Sequence, residues 1–278
     1  MTYRLLDSGN GEKLEMVGPH KVCRQAAQAF WEPVLDEAQW KQLDALHIRS
    51  KKGGGHWEFQ RKLPESWDME WGGLRFKAKL TPFGHIGLFP EQMSNWEWLR
   101  TAIPAAIGTE KVLNLFAYTG GSTLASSQAG AHVTHVDASK GVVNWARENA
   151  ALNQLDQNPI RWIVDDVEKF IRREIRRESI YSGLILDPPT YGRGAKGETW
   201  KIEEDLLRLF KLLQEVAPEP KLILVSCHTP GFTGQVLAQM AGQVFGIDPG
   251  QFESGEMVTP TEQGLPLPSG FFARWAHN

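Results

Sequence analysis

The amino-acid sequence predicts a doubly wound α/β domain with a mostly parallel sheet, preceded by a small mainly β domain. Three observations carry this. From about residue 112 onward, short apolar runs alternate with amphipathic stretches; glycine and proline mark their ends; and the first 95 or so residues lack that rhythm. The strand candidates are residues 112–116, 133–136, 160–164, 184–186 and 222–225. Three are nearly continuous in apolar character, as central parallel strands covered on both faces require. The 160–164 run, Ile-Arg-Trp-Ile-Val, alternates at its start and suits a sheet edge. Between the strands, Val142, Val143, Ala146 and Ala150 form one helical stripe and Val167, Phe170, Ile171 and Ile175 a second. Ile202, Leu206, Leu209, Phe210, Leu213 and Val216 form a third. Residues 91–103 read as a helix ending before Pro104.

Turn signals crowd the first region. Ser8-Gly9-Asn10-Gly11, Gly53-Gly54-Gly55 and Gly72-Gly73 separate short strand candidates such as 74–78. We therefore expect a small domain over residues 1–95 and the α/β domain over 96–278. The 278 residues hold 30 Lys and Arg against 33 Asp and Glu, a net charge of −3, which disfavours a nucleic-acid binder that grips by bulk charge. Cys23 and Cys227 are the only cysteines, so neither a disulfide framework nor a zinc site is expected. His132 and His135 lie three apart on one strand and face opposite sides, which argues against a metal there. No window approaches the roughly 18 apolar residues of a membrane span, and the start lacks a secretory pattern. A cytoplasmic protein without membrane contact is expected.

Ligands of open α/β sheets sit at the carboxyl ends of the central strands. Here the first strand breaks into Phe116-Ala117-Tyr118-Thr119-Gly120-Gly121, a glycine turn leading into a helix. Asp137 closes the next strand, 17 positions after Gly120, where a carboxylate can accept hydrogen bonds from ribose hydroxyls. Asp165-Asp166 ends the third, placed to reach an adenine amino group or to cap the helix that follows. A dinucleotide would want G-x-G-x-x-G to rest its pyrophosphate on a helix, and that pattern is absent. S-Adenosylmethionine carries a ribose, an adenine, an amino acid and a sulfonium but no phosphate, so acid-rich strand ends suit it better. The fourth strand ends in Asp187-Pro188-Pro189-Thr190-Tyr191, with an acid and an aromatic beside a rigid proline pair.

Asn114-Leu115-Phe116-Ala117-Tyr118-Thr119-Gly120-Gly121, Val136-Asp137-Ala138-Ser139, Asp165-Asp166-Val167 and Asp187-Pro188-Pro189 together resemble the bacterial large-subunit ribosomal RNA methyltransferases, a family with cytosine-C5 and guanine-N7 members. Gly87-Leu88-Phe89-Pro90-Glu91-Gln92 is similar to the family's lead-in to the catalytic domain. The resemblance covers about residues 80–230. It implies a class I methyltransferase sheet of seven strands, the last two antiparallel and supplied by 252–258 and 271–275. It implies adenosylmethionine as cofactor and RNA, ribosomal in the first instance, as partner. The RNA-binding PUA domain of the cytosine-C5 members is not expected here. On this resemblance the cofactor site comprises Phe116, Tyr118, Thr119, Gly120, Gly121, Asp137, Ala138, Ser139, Asp165 and Asp166. Pro188, Pro189 and Tyr191 would meet the acceptor, and Asp187 and Cys227 would be catalytic.

The fifth strand delivers Ser226-Cys227-His228-Thr229. In cytosine-C5 members a cysteine at this strand end attacks C6 of the base and makes C5 nucleophilic, chemistry that needs a thiolate. His228 would support it only weakly, because adjacent side chains on a strand face opposite sides. The alternative is a buried cysteine packing as a small hydrophobe, with methyl transfer to a ring nitrogen positioned by Asp187. Tyr191 would stack on the base or pack locally. Arg49-Ser50-Lys51-Lys52-Gly53-Gly54-Gly55, followed by Trp57, Phe59, Arg61 and Lys62, is either a phosphate-and-base contact or a solvated hairpin with its aromatics turned inward. Arg172, Arg173, Arg176 and Arg177 read as a solvated helix face. The tryptophans, Trp31, Trp57, Trp67 and Trp71 among them, read as packing anchors. Competing readings are a non-catalytic RNA-binding module on the same fold, a methyltransferase with another acceptor, and a nicotinamide-dependent oxidoreductase. Oligomeric state is left open by the sequence.

Overall fold

A computed structural model describes residues 2–50, 53–193, 197, 199–262 and 265–277. The chain divides into two compact units. The first comprises Met1–Met93 with Val258–Ser269, and the second comprises Ser94–Met257 with Gly270–Asn278.

Unit 1 is built on strands β1 (Tyr3–Gly9), β2 (Glu12–Val17), β3 (His20–Gln25), β4 (Ala45–Arg49) and β5 (Gly55–Phe59), side by side in that order. A hairpin of β6 (Trp67–Trp71) and β7 (Leu74–Ala78) completes it, its turn made by Gly72 and Gly73 at positive φ. A short α-helix of five residues, α1 (Glu37–Lys41), is closed by a capping box between Asp36 and Gln39. Every tryptophan that the sequence marks in this unit anchors a loop or strand through its indole N–H. Trp31 donates to Ser8 O (2.8 Å), Trp57 to Thr81 O (2.7 Å), Trp67 to Val17 O (2.8 Å) and Trp71 to Pro90 O (2.9 Å). The returning segment 258–269 is held by Thr261 and Glu262 against Leu5 and by an Arg4–Glu262 pair.

Unit 2 begins with α2 (Met93–Ala106), entered through a 3-10 turn at Pro90–Gln92. The expected stop before Pro104 is not observed: the proline sits in the helix's last turn, where its missing N–H costs one hydrogen bond and the helix runs on to Ala106. The chain then alternates β8 (Lys111–Leu115), α3 (Gly121–Gln128), β9 (His132–Asp137), α4 (Lys140–Leu152), β10 (Ile160–Val164), α5 (Val167–Arg176) and β11 (Gly183–Leu186). A small antiparallel pair, β12 (Tyr191–Arg193) and β13 (Thr199–Lys201), precedes α6 (Ile202–Gln214), β14 (Leu222–Cys227) and α7 (Gly234–Phe245). The chain closes with β15 (Glu253–Thr259) and β16 (Leu267–Ala276). The sheet has seven strands in the order β10-β9-β8-β11-β14-β16-β15, with β8 to β11 and β14 parallel to their neighbours and β16 antiparallel to β14. The alternating strand β10 is at the edge, as its pattern predicts.

Three of the helices start where the sequence supplies a side-chain cap, and α4, α5 and α6 bury the stripes that their spacing sets. Ser139, Asp166 and Thr233 cap α4, α5 and α7 through their side chains. Val143, Ala146 and Ala150 of α4 are buried, as are Phe170 and Ile171 of α5 and Leu206, Leu209, Phe210 and Leu213 of α6. The strand order reverses between β8 and β11, the place where a doubly wound sheet opens a crevice at its carboxyl end.

Candidate active site

The loop after β8 is a strained turn. Phe116 (φ 54°), Tyr118 (φ 48°) and Gly120 (φ 92°) all lie in the left-handed region, two of them without the freedom of glycine. A Cβ on Gly121 would stand 2.4 Å from the Trp96 ring, so only glycine can begin α3 there. Beneath the turn, Asn114 Nδ2 donates to Thr123 Oγ1 (2.8 Å), and Thr123 Oγ1 lies 2.9 Å from His135 Nδ1. Asn114, Thr123 and His135 thus form a buried polar chain beneath the turn. Burial, helped by the charge of Arg147, pushes His135 down to about 3, so it is a neutral strut. From α4, the buried Asn149 donates to Thr119 O at 2.9 Å.

Asp137 ties this turn to the next strand. Its Oδ2 accepts from Tyr118 N (3.0 Å) and its Oδ1 from Ser139 N (2.9 Å). Burial raises the carboxyl above its ordinary value, and the two amides pull the other way. Asp165 N donates to Asp137 O (3.1 Å), which brings the end of β10 alongside. The Asp165 carboxylate accepts from Asp166 N (2.9 Å) and pairs with Arg173. Asp166 accepts from Lys169 N (3.0 Å) through Oδ1 as the helix cap, while both Asp165 oxygens are engaged, one by Asp166 N and one by Arg173. Ala138 and Ser139 follow at the exposed rim.

On the other side of the switch, Asp187 N donates to Leu115 O (3.4 Å), and Ser226 Oγ donates to Asp187 Oδ1 (2.7 Å). His228 Nδ1 is 3.9 Å from the same oxygen. The sequence reading weighs His228 only as a partner of Cys227 and gives Ser226 no role; β11–β14 pairing places the two strand ends side by side. Pro188 is buried; Pro189 is exposed and its carbonyl accepts from Trp200 Nε1 (2.7 Å). The Trp200 ring packs 4.9 Å from that of Phe116, and Thr190 and Thr229 hydroxyls are 2.6 Å apart. Thus the β12–β13 hairpin lies over the β8 turn, an element the sequence did not announce. Tyr191 is 50% exposed at its start.

Cys227 does not join this row. Its side chain is fully buried in the core cluster with Leu186, Val225, Leu237 and Ala273. Burial pushes the thiol up, away from the thiolate that addition to C6 needs, although Thr229 N contacts Sγ at 3.3 Å. The geometry therefore favours the packing alternative over the nucleophile. The basic elements also resolve: Arg172 pairs with Glu168, Arg173 with Asp165 and Arg177 with Glu174, a solvated paired face. Lys51 and Lys52 lie outside the described residues.

Comparison with known proteins agrees with the fold and the loops. Residues 20–248 match the family model of S-adenosylmethionine-dependent methyltransferases, and the chain belongs to that family. The crystal structure of a SAM-dependent methyltransferase from Agrobacterium tumefaciens is 38% identical, covers 100% of this chain and 91% of its own, and superposes with a TM-score of 0.90. SMU.776, a methyltransferase structure complexed with SAH, has the same fold at 18% identity (TM-score 0.75, covering 98% of this chain and 75% of its own). Among curated proteins, the ribosomal RNA large subunit methyltransferase K/L of Syntrophotalea carbinolica is 31% identical over 166 residues, 59% of this chain and 22% of that protein. The chain spans about a quarter of the length of such curated relatives.

The residues present fit adenosylmethionine. The donor set at β8, β9 and β10 is a left-handed glycine turn with two carboxylates, suited to an amino acid, a ribose and an adenine. Among the described residues no helix is long and apolar enough to cross a membrane.

Proposed function

We propose that this methyltransferase modifies a ring nitrogen of a base in RNA, ribosomal RNA being the acceptor that the curated relatives' names suggest. Such a reaction places the protein in the cytoplasm. The observation that supports the reading is the Asp187 carboxylate, held by Ser226 at the end of β11, while Cys227 lies in the apolar core. When bound, adenosylmethionine supplies a methyl group made electrophilic by sulfonium, and the sulfur leaves as a neutral thioether as the N–C bond forms. The Thr119-Gly120-Gly121 turn receives the amino-acid end, Asp137 the ribose hydroxyls and Asp165 the adenine amino group. Ser226 and His228 fix the Asp187 carboxylate, which accepts a hydrogen bond from the base and holds its nitrogen in line with the methyl group. Pro188 and Pro189 stiffen that strand end, and the Tyr191 ring stacks on the base, which must be unstacked to reach it.

The test is transfer of tritiated methyl from adenosylmethionine to deproteinised large-subunit RNA, followed by nucleoside analysis. The reading expects label in RNA and a loss of about 100-fold or more for Asp187→Ala, with adenosylmethionine affinity kept. Label confined to protein or small molecules would reject RNA as the acceptor. A 5-methylcytosine product would reject transfer to nitrogen.

A further inference from the structure

One face of the β4–β5 hairpin in unit 1 has a composition that the methyl-transfer chemistry does not use. The register pairs Ala45 with Phe59, His47 with Trp57 and Arg49 with Gly55, so these six residues share a face. Leu46, Ile48, His56 and Glu58 fall on the other, which takes the hairpin's carboxylate with them. The turn at 81–85 lies against the first face and is braced from three sides. Trp57 Nε1 donates to Thr81 O (2.7 Å), His47 Nε2 is 3.2 Å from Pro82 O, and Arg24 Nη1 donates to Gly84 O (2.8 Å). Gly84 has φ +77°, and a Cβ there would stand 2.8 Å from the His47 ring, so the turn closes only with glycine. Between these fixed carbonyls Phe83 is left 70% exposed. Gly54 flanks its ring, and a Cβ at Gly54 would lie 3.6 Å from it. Phe59 is 54% exposed on the same face. Arg49 is exposed there too, with no carboxylate within ion-pairing distance among the described residues.

Isolated exposed aromatics are ordinary on a protein surface. Here the ring is preorganised by three side-chain contacts to its own turn, and the only ionised side chain on that face of the two strands is a cation. A polyanion with planar bases matches both features, whereas an apolar peptide groove would need neither the cation nor the open edge. We propose that this face is a stacking platform for a single-stranded segment of the acceptor RNA, with a base on Phe83 and a phosphate on Arg49. It rests on RNA being the acceptor. It also locates recognition on the strand face rather than on the arginine helix, where Arg172, Arg173 and Arg177 are already paired.

Binding of a fluorescein-labelled 20-nucleotide mixed-sequence single-stranded RNA to the full chain, read by anisotropy over a salt series, tests it. Phe83→Ala should weaken binding about five-fold or more with the salt slope unchanged, and Phe83→Trp should retain it. Arg49→Gln should weaken binding and lower the magnitude of the log–log salt slope by about 0.7, the signature of one lost phosphate contact. Melting temperatures of all three variants should match wild type, because neither side chain is packed. Wild-type binding with both variants unaffected overturns the platform alone and leaves the face to a protein partner or to none. Absence of binding by wild type overturns the platform together with the RNA reading.

Discussion

In unit 2 a large apolar cluster runs from Leu113 through Phe210 to Ala273, and the carboxylates Asp137, Asp165 and Asp187 stand at strand ends. In unit 1 the charge is inside. Glu15 is fully buried, accepting from Tyr3 Oη (2.6 Å), Arg24 Nε (2.6 Å) and Arg24 Nη2 (2.7 Å), with Lys13 Nζ at 3.4 Å. Burial alone would raise Glu15, yet Arg24, Lys13 and Tyr3 hold it at about 2. Arg24 Nη1 donates to Gly84 O and so braces the turn that displays Phe83. The difference teaches that one unit keeps carboxylates at its strand ends, while the other uses a buried one to fix the geometry of a surface turn. Unit 2 has one counterpart, Glu174, buried and held at about 2: burial raises it, and Arg161, Tyr181 and Arg177 bring it down.

The sharpest way to break this comparison is to remove one partner of the buried pair. Glu15→Ala should destabilise unit 1 by about 3–5 kcal/mol in urea unfolding, because Arg24 is left buried and uncompensated. A double replacement, Glu15→Leu with Arg24→Met, should cost clearly less than the single change; an equal or larger loss would mean that the cluster stabilises beyond its own repair. Acid gives the next effect. Both glutamates have folded values of about 2, below the ordinary 4.5, so their contribution is complete above about 4.5 and is lost as pH falls toward 2. Wild-type unfolding free energy should therefore fall through this window, and the double variant at 15 and 24 should show a shallower fall. Unchanged steepness would assign acid sensitivity to other groups. The smallest effect concerns Cys227. Cys227→Ser should lower stability by about 1–2 kcal/mol, since a hydroxyl replaces a packed sulfur, and should leave the methyl-transfer rate within about two-fold. Abolished turnover with full adenosylmethionine affinity would restore the nucleophile.

Unit 2 was legible because parallel strands buried on both faces read as apolar runs and their helices as stripes of three and four. Even the edge position of β10 shows in Ile-Arg-Trp-Ile-Val. The loops bearing Tyr118, Gly120, Asp137 and Asp187 follow directly from those strand ends. What escaped depends on partners distant in sequence. Glu15, Arg24 and Tyr3 sit on three different strands, and alternation alone assigns such charges to solvent. Asn149 and Glu174 lie on buried helix faces, where a polar residue reads as a break in the stripe rather than as a brace. Trp200 gave no warning that β12–β13 would cover Phe116, because a three-residue strand has no detectable period. The return of 258–269 to unit 1 likewise rests on Leu5 and Arg4, more than 250 positions away.

The central claim is that the carboxylate ending β9, locked to the Tyr118 amide, holds the nucleoside of adenosylmethionine. Isothermal titration calorimetry of adenosylmethionine against wild type and Asp137→Ala tests it most directly. The account predicts affinity at least about ten-fold weaker in the variant, equivalent to about 1.4 kcal/mol or more; equal affinity in the two proteins would contradict it.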